Sequence, residues 1–302
     1  MNYDFNSQES NEDYKKIKAI VTLYHPQEKH KKNILRISDQ VDELYICDNS
    51  PESSEHLYKG LDKVKYIYWG ENRGLSYAFN TVLNNKCYKW SKNDYVIFFD
   101  QDTVIPENHV YKLMREYNQL KLSGVKVGCL GPVYYNTSNR SLELPRYFKR
   151  ISKNSIKVKS IITTSMLCRY GDLVKVGLWN EEIFLDMADW DLCWRFINEG
   201  YQCCMTTISK ICHSVGEGEK KIGFISLRTG KPIREYYQLR DCRYLLKKKY
   251  TPDKYKLRFI LMITLRSFLH LLFFEDRKER LMYMNRARCD YVHSIKGVIK
   301  GK

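Results

Sequence analysis

The sequence lacks the marks of several large classes of protein. Its ten cysteines are scattered and none forms a C-x-x-C pair, so the closely spaced ligands of a structural zinc site are missing. The first 16 residues, MNYDFNSQESNEDYKK, hold no apolar stretch, which predicts no secretory signal and free thiols in a reducing cytoplasm. A hydrophobic content of 43% across 302 residues predicts a folded chain with an ample core rather than a disordered one.

Positive charge is concentrated at one end of the chain. Residues 220–302 hold 22 Lys and Arg against 7 Asp and Glu, a net charge of +15, whereas residues 1–219 hold 29 against 28. A protein that binds nucleic acid over its whole surface would spread its basic residues more evenly. The confined excess predicts a local anionic partner for the last third.

The first two-thirds of the chain alternates apolar runs with helical patterns. Runs typical of buried parallel strands occupy residues 17–24, 43–47, 64–68 and 95–99. Helical patterns at residues 28–40 and 74–84 separate the first pair and the last pair of runs. This order predicts an α/β sheet with right-handed crossovers. Ligands bind such sheets beyond the carboxyl ends of the strands, where Thr22, Tyr24, Asp48 and Asn49 fall.

Two acidic residues follow the most hydrophobic of these runs. Asp100 and Asp102 are two positions apart, so both carboxylates can project to the same side of the strand end. A divalent cation in a nucleotide site is held by one or two carboxylates and by the oxygens of the diphosphate. The pattern therefore predicts a metal–diphosphate site, and the alternative is an Asp-rich turn that only closes the strand.

A second acidic cluster lies in residues 184–195, FLDMADWDLCWR. Asp189, Leu192 and Phe196 have helical spacing, and Gly200 can end the helix. Asp189 then lies in the first turn, where the helix dipole favours an ionised carboxylate. Such a carboxylate can accept a proton from a sugar hydroxyl. The alternative is an acidic residue that serves only to begin the helix.

The other histidines offer little evidence of a site. His25, His30, His56, His109 and His293 have no carboxylate or cysteine partner at the spacing of metal ligands. They are predicted to lie on the surface or in loops.

Short motifs follow one another in a characteristic order along the chain. They are TLY (22–24), DNS (48–50), ENRGLSYAFN (71–80), FFDQD (98–102), GLWNEEIF (177–184), DWD (189–191) with Arg195, His213, and REYYQLR (234–240). Over residues 17–240 this order resembles the family 2 glycosyltransferases of the GT-A fold, and more narrowly the bacterial rhamnosyltransferases. The resemblance implies a Rossmann-like mixed sheet flanked by helices in residues 1–240, followed by a basic helical extension in residues 241–302.

The resemblance also implies roles for single residues. Asp189 matches the catalytic base, while Asp102 and His213 match residues at the Mn²⁺ or Mg²⁺ site. Binding of the nucleotide-diphosphate sugar falls to Thr22, Tyr24, Asp48, Arg73, Asp100, Gln101, Trp190, Arg234 and Tyr237. The chain departs from the family pattern at Ala188, where many relatives have Glu, and at Asp241, where rhamnosyltransferases often have Asn.

Together these roles imply an inverting, metal-dependent glycosyltransferase. It would move L-rhamnose from dTDP-L-rhamnose to a saccharide acceptor, which we expect to be lipid-linked, in the synthesis of a bacterial cell-surface polysaccharide. No residue chemistry identifies the sugar, so galactofuranose, a hexose or an N-acetylhexosamine from a UDP donor is the alternative.

Proteins of other classes fit the sequence less well. A nucleotidyltransferase needs a Gly-rich basic loop after the first strand, where this chain has YHPQE (24–28). A nucleic-acid-binding protein leaves the acidic sites unexplained and would bind less tightly as salt rises. A non-catalytic sugar-binding relative would lack Asp102 or Asp189, and both are present.

A mostly apolar run of 16 residues, 259–274, lies within the basic last third. It is too short to span a bilayer, and it includes Arg266 and His270. Basic residues before and after it are typical of an amphipathic helix in the interface of an anionic membrane. We therefore expect peripheral association with the inner face of the cell membrane through Phe259, Ile263 and Phe273. The alternative is a helix that packs on the catalytic domain or forms a homodimer.

Overall fold

The computed structural model describes residues 15–137, 140–145, 148–213, 219–222, 225–228 and 230–300. The strands in these ranges are β1 Ile17–Leu23, β2 Glu43–Asp48, β3 Val64–Tyr68, β4 Tyr95–Asp100, β5 Val127–Asn136, β6 Ser141–Glu143, β7 Lys149–Arg150, β8 Ser155–Val158, β9 Met166–Arg169, β10 Gln202–His213, β11 Glu219–Ile222 and β12 Ile225–Arg228. The α-helices are α1 Glu28–Ser38, α2 Leu75–Leu83, α3 His109–Leu122, α4 Tyr170–Lys175, α5 Ala188–Asn198, α6 Pro232–Leu246, α7 Asp253–Leu261, α8 Ser267–Phe273 and α9 Arg277–Val292.

Ten of the described strands form one mixed sheet. Its order is β3-β2-β1-β4-β9-β5-β10-β8-β7, with β6 paired to β5, and β11 and β12 form a separate hairpin. The first four strands are parallel to their neighbours, whereas β9 is antiparallel to both β4 and β5. Strands β2 and β3 lie on one side of β1, and β4 lies on its other side. The direction in which strands are added to the sheet therefore reverses between β1 and β4. In such sheets a ligand crevice opens at this point, beyond the carboxyl ends of the strands.

Helices cover both faces of the sheet. On one face α2 and α5 bury Phe79, Leu192 and Phe196 against the strands, and on the other α1 and α3 bury Ile34 and Leu113. The central strand β4 is buried along nearly its whole length, which explains why its sequence is apolar at successive positions rather than at alternate ones.

The strand β10 is irregular in the middle. Thr206 pairs with Pro132 of β5 and Lys210 pairs with the next residue, Val133, so residues 207–209 have no counterpart in the neighbouring strand. A β-bulge of this kind bends the strand and redirects the residues that follow it. The last residue of β10 is His213.

The C-terminal helices pack onto the sheet domain through α5 and α6. Phe259 of α7 is 1% exposed and lies against Trp194 of α5, with ring centroids 6.2 Å apart. Ile263 also packs against the buried core. The expectation that Phe259 enters a membrane is therefore wrong, because this side of the helix faces the domain. The predicted boundary between residues 240 and 241 falls inside α6. None of the described helices combines the length and the apolarity needed to cross a bilayer.

Candidate active site

The carboxyl ends of β1, β2 and β4 bring the predicted polar residues to one edge of the sheet. Thr22 of β1 is in register with Asp100 of β4 on one side and with Cys47 of β2 on the other. Asp48 follows Cys47 and ends β2. The sheet register thus places Thr22, Asp48 and Asp100 side by side, as the sequence predicts.

Asp100 and Asp102 meet a histidine that lies 111 positions beyond Asp102. Val104 and Cys212 exchange two backbone hydrogen bonds of 3.2 Å, which fix the end of β10 beside the turn that follows β4. Nδ1 of His213 lies 3.2 Å from Oδ1 of Asp102, and Nε2 lies 3.7 Å from Oδ2 of Asp100. One ligand atom from each of the three residues lies within 4.8 Å of the other two.

The three residues alter one another's protonation. Burial raises the pKa of Asp100 to about 6, although the nearby His213 acts against this shift. Burial also acts to raise the pKa of Asp102, but the contact with His213 outweighs it, and the pKa is lowered. The pKa of His213 is raised because the two carboxylates outweigh the effect of its burial. The group therefore carries opposite charges held close together in a half-buried pocket.

These side chains fit a small divalent cation. Carboxylates suit both Mn²⁺ and Mg²⁺, and an imidazole nitrogen is a ligand typical of transition metals. Nδ1 of His213 is buried, and its 3.2 Å contact with Asp102 is an ion pair that falls outside the geometry of a good hydrogen bond. A buried nitrogen without a hydrogen bond is costly unless another group satisfies it. A bound cation would do so.

The turn that presents Asp100 and Asp102 is held by its neighbours. The side-chain hydroxyl of Thr164 accepts a hydrogen bond of 3.2 Å from the backbone N–H of Asp100 and contacts the hydroxyl of Thr103. The amide of Gln101 bonds both backbone groups of Tyr24, at 2.9 and 3.1 Å. Gln101 therefore joins the ends of β1 and β4, and its direct contact with a donor stays a prediction.

Asp48 is completely buried, and its carboxylate is hydrogen-bonded to other groups of the protein. Its carboxylate accepts hydrogen bonds from the backbone N–H groups of Ser50 (2.9 Å) and Ser54 (3.0 Å) and from the hydroxyl of Tyr66. These contacts hold the loop after β2. The resemblance assigns Asp48 to the nucleotide base, and that assignment stays a prediction beside the structural role described here.

The loop that carries Arg73 is anchored by Asn49. Oδ1 of Asn49 accepts a hydrogen bond of 3.0 Å from the backbone N–H of Arg73, and the loop ends at Gly74 with φ of +83°. The guanidinium of Arg73 is half-exposed, 2.6 Å from Glu71, and lies over the ring of Tyr77. Arg73 is thus accessible from solvent at this edge, as a residue that contacts a phosphate must be.

Asp189 lies in the first turn of α5 in a half-buried position. Met187, two residues earlier, has φ of +71°, and this left-handed residue turns the chain into the helix. Oδ1 of Asp189 accepts a hydrogen bond of 2.8 Å from the backbone N–H of Trp190. Burial raises the pKa of Asp189 to about 8 despite this bond. The prediction that the start of the helix keeps Asp189 ionised is therefore wrong: the carboxyl group holds its proton near neutral pH, and only its ionised fraction can accept another.

Residues 184–189, which lead to and include Asp189, are held in place by α6. We call this segment the base loop. Arg234 binds Asp186 through two hydrogen bonds, and Gln238 adds a third of 2.8 Å. The ring of Tyr237 stacks on Phe184 with centroids 3.9 Å apart, and Asp241 accepts a hydrogen bond of 2.8 Å from the N–H of Phe184.

These contacts give the REYYQLR segment a structural role. Arg234 and Tyr237 hold the base loop, and their direct contact with a donor stays a prediction. Asp241 occupies the position where Asn is frequent in rhamnosyltransferases, and an acceptor oxygen is all that its contact with Phe184 requires.

Trp190 lies on the other side of α5 and faces α7. Its ring is 5.2 Å from that of Tyr255, and the guanidinium of Arg258 lies 5.0 Å from its centroid. These contacts belong to the packing of the C-terminal helices. Stacking of Trp190 on a sugar stays a prediction.

Two supporting residues, Thr164 and His109, were not predicted from the sequence as parts of the site. His109 is fully buried, and its ring nitrogens lie 2.6 Å from the hydroxyl of Ser165 and 2.7 Å from that of Ser209. Burial lowers its pKa to about 3. The prediction that His109 and His30 lie on the surface is wrong. The apolar spacing of His109, Leu113 and Tyr117 along α3 was the available signal.

Comparison with known proteins agrees with this architecture. The family model described as glycosyl transferase family 2 matches residues 19–176. The chain is 25% identical over 301 residues to dTDP-rhamnosyl transferase RfbF of Shigella flexneri, covering 94% of this chain and 97% of that protein.

Two solved structures share the fold at 13% identity. A crystal structure of GalNAc-T7 with UDP, GalNAc and Mn²⁺ has a TM-score of 0.57, covering 93% of this chain but 57% of the other. A structure of S. aureus TarS 1–349 in complex with UDP-GlcNAc has a TM-score of 0.53, covering 93% of this chain and 81% of the other. The predicted α/β sheet with flanking helices and a helical C-terminal region is confirmed.

Proposed function

The chain belongs to glycosyl transferase family 2 and has the GT-A fold, and we propose that it is an inverting, metal-dependent rhamnosyltransferase. That it is a glycosyltransferase follows from the family. The observation that carries the proposal is the meeting of Asp100, Asp102 and His213 at the carboxyl edge of the sheet. A metal site at a sheet-edge crevice suits a nucleotide-diphosphate donor, because carboxylates and the phosphates of the donor can share one divalent cation.

The donor we propose is dTDP-L-rhamnose. Its support is the similarity to a dTDP-rhamnosyl transferase over nearly the whole of both chains. The solved structures with UDP or UDP-GlcNAc support the shared fold alone, since they are only 13% identical. A UDP-linked galactofuranose, hexose or N-acetylhexosamine is therefore the second candidate, and the assay below separates the two.

The proposed reaction is a single displacement at C1 of the sugar. The acceptor hydroxyl forms a bond to C1 while the bond from C1 to the diphosphate oxygen breaks, and that electron pair leaves with the nucleoside diphosphate. Because attack and departure occur on opposite faces, the configuration at C1 inverts. The hydroxyl proton passes to the carboxylate of Asp189. A Mn²⁺ or Mg²⁺ held by Asp102 and His213, with Asp100 beside them, would supply positive charge to the departing diphosphate.

The remaining residues position these groups. Gln101 and Thr164 fix the turn that carries Asp100 and Asp102, and the base loop is fixed by Arg234. Positioning of this kind lowers the entropic part of the barrier, because the reacting groups are already oriented when the substrates bind. Arg73 is accessible for contact with the diphosphate.

We propose a lipid-linked saccharide as the acceptor, in the synthesis of a cell-surface polysaccharide such as a capsule. The protein would then work in the cytoplasm at the inner face of the cell membrane. Support comes from the net charge of +15 in residues 220–302, since anionic lipid is a partner for a confined basic surface.

The proposal is tested by incubating the protein with dTDP-L-rhamnose, UDP-galactofuranose, UDP-glucose and UDP-N-acetylglucosamine, each with Mn²⁺, Mg²⁺ or excess EDTA. Slow hydrolysis of the donor is measured as released nucleoside diphosphate. We expect release from dTDP-L-rhamnose with a metal present and none in EDTA. Preferential release from a UDP-sugar would replace the donor, and full activity in EDTA would remove the metal from the mechanism.

A further inference from the structure

The first two C-terminal helices after α6 form one continuous amphipathic rod. A π-helical turn, Met262–Arg266, joins α7 to α8, so residues 253–273 remain helical without a break. Phe259 and His270 are buried on the side of this rod that faces the domain. On the opposite side, five large apolar residues are 46–59% exposed: Leu257, Leu261, Leu265, Phe268 and Leu272. We call these five residues the apolar stripe.

The exposure is concentrated at this place in the molecule. Of the 22 large hydrophobic residues that are exposed within the described ranges, nine lie between residues 257 and 282. Leu281 and Met282 of the next helix, α9, are exposed as well. Single exposed apolar residues are ordinary, but a contiguous row of them on one helix face marks an interaction surface.

The charge around the stripe identifies the partner. Residues 247–288 hold 12 Lys and Arg against 4 Asp and Glu. Lys254 and Arg258 are exposed near one end of the stripe beside Asp253, whereas Arg277 and Lys278 at the other end are exposed among Glu275, Asp276 and Glu279. The exposed positive charge therefore lies mainly at the Lys254 end. A second copy of the chain docked stripe to stripe would bring two surfaces with a net positive charge together, which like-charge repulsion opposes. An apolar row with a basic end complements an anionic lipid surface.

We propose that the apolar stripe inserts into the interface of an anionic membrane leaflet. Leucine and phenylalanine side chains would leave water for the region between the headgroups and the acyl chains, while the bordering Lys and Arg contact anionic headgroups. The π-helical turn adds one residue to a turn of the rod. The exposed residues before the turn, Leu257 and Leu261, and those after it, Phe268 and Leu272, lie on the same exposed face.

This surface has a fixed relation to the base loop. The buried side of α7 lies on α5, where Phe259 contacts Trp194 and Tyr255 contacts Trp190. Asp189 is in the first turn of that same α5. The stripe and α5 are thus separated by the thickness of one helix, about 10 Å. The consequence for delivery of a lipid-linked acceptor rests on the proposed function, whereas the lipid binding itself does not.

The test is co-sedimentation of the full-length protein with vesicles of phosphatidylcholine alone or mixed with phosphatidylglycerol. The decisive variant replaces three exposed side chains, Leu261→Ser, Leu265→Ser and Phe268→Ser. The matched control is Leu122→Ser, which removes an 89% exposed leucine from α3. We expect the wild-type protein and the control to bind mixed vesicles and the triple variant to bind at least about tenfold more weakly.

A second variant tests the ionic part. Lys254→Gln with Lys278→Gln should weaken binding to mixed vesicles, and added salt should weaken wild-type binding only in part, because apolar burial does not depend on ions. Equal binding of the wild type to both vesicle types, or full binding by the triple variant, would overturn the inference. So would a wild-type dimer that the triple variant converts to a monomer, because a second copy would then be the partner.

A measurement of donor hydrolysis distinguishes a failure of this inference from a failure of the proposed function. The triple variant should release nucleoside diphosphate at the wild-type rate, since its changes lie outside the site. If lipid binding behaves as expected while no sugar donor is hydrolysed by any form, the proposed function fails and the membrane surface stands.

Discussion

Arg234 and Asp186 form a two-point ion pair, with Nε at 2.9 Å from Oδ2 and Nη2 at 2.7 Å from Oδ1. The pair connects α6 to the base loop three residues before Asp189. Arg234 holds the pKa of Asp186 low, although burial acts in the opposite direction. The loop that leads to the proposed catalytic carboxylate is thus held by a residue at the start of α6.

Arg234→Lys tests this positioning role. Lysine keeps the charge but cannot make the planar two-point contact, so we expect kcat to fall roughly tenfold or more while KM for the donor stays within a few-fold. Arg234→Ala should lower kcat further. Steady-state kinetics with a titration of donor binding separates the two effects. A large rise in the donor Kd with kcat preserved would show that Arg234 binds the donor directly instead.

Asp102→Ala and His213→Ala test the metal site. Each removes a ligand, so we expect transfer to fall at least about a hundredfold and Mn²⁺-dependent binding of the nucleoside diphosphate to be lost. The control is Asp62→Ala, an exposed acid away from the site. Calorimetric binding with and without Mn²⁺ provides the measurement, and a thermal melt establishes folding. Unchanged Mn²⁺-dependent binding in both variants would contradict the ligand assignment.

Asp189→Asn tests the base. The amide keeps the shape of the carboxylate but cannot accept the proton, so turnover should fall by about two to four orders of magnitude while donor binding survives. Asp191 is the nearby alternative. Its carboxylate is fully buried and engaged by Arg195 and Tyr250, so its removal should reduce stability first. Transfer by Asp189→Asn within a few-fold of wild type would assign the base elsewhere.

The raised pKa of Asp189 predicts a pH-dependent cost in stability. An ordinary carboxyl ionises near pH 4 in the unfolded chain, whereas burial keeps this one protonated in the folded chain up to about pH 8. Wild-type stability relative to Asp189→Asn should therefore fall as pH rises from about 4 to about 8, and level off above that range. Thermal melts of both proteins across this range measure the difference. A gap that stays constant with pH would rule out the buried, proton-holding carboxyl.

Gly74→Ala tests the contact between the Arg73 loop and the base loop. A Cβ at position 74 would lie 2.6 Å from the carbonyl oxygen of Phe184, in a backbone conformation with φ of +83°. Gly124 has a similar φ of +81° but no atom near its absent Cβ, so Gly124→Ala carries the backbone strain alone. We expect Gly124→Ala to cost about 1 kcal/mol of unfolding free energy and to remain active. Gly74→Ala should cost more and lose activity. Equal losses would show that the close approach is unimportant.

The parts of the fold that the sequence predicts well are those with local causes. The first four strands agree with their predicted ranges to within one residue. For β1, β2 and β4 the reason is that a strand buried on both faces needs a continuous apolar run. Asp189 is in the first helical turn, as its spacing to Leu192 and Phe196 predicts.

The sequence alone does not predict which residues far apart along the chain contact one another. Phe259 and Leu261 are both apolar residues of one helix, and only the packing of Trp194 determines which one is buried. The same holds for Asp48, whose hydrogen-bond partner Tyr66 comes from a different strand. The position of His213 beside Asp102 was implied by resemblance, and its physical cause is the pairing of Val104 with Cys212.

The unmatched segment 207–209 in β10 makes chain length at this point part of the proposed metal site. These three residues of β10 cover the distance that β5 covers in the single step from Pro132 to Val133, and they set where the second paired stretch begins. Deletion of one residue from 207–209 would pull on the pairing that holds His213 beside Asp102, even though no residue of the site had been substituted. Ser209, which contacts His109, would be displaced at the same time. The length of this unpaired segment is thus expected to matter to the proposed metal site as much as the identity of its ligands.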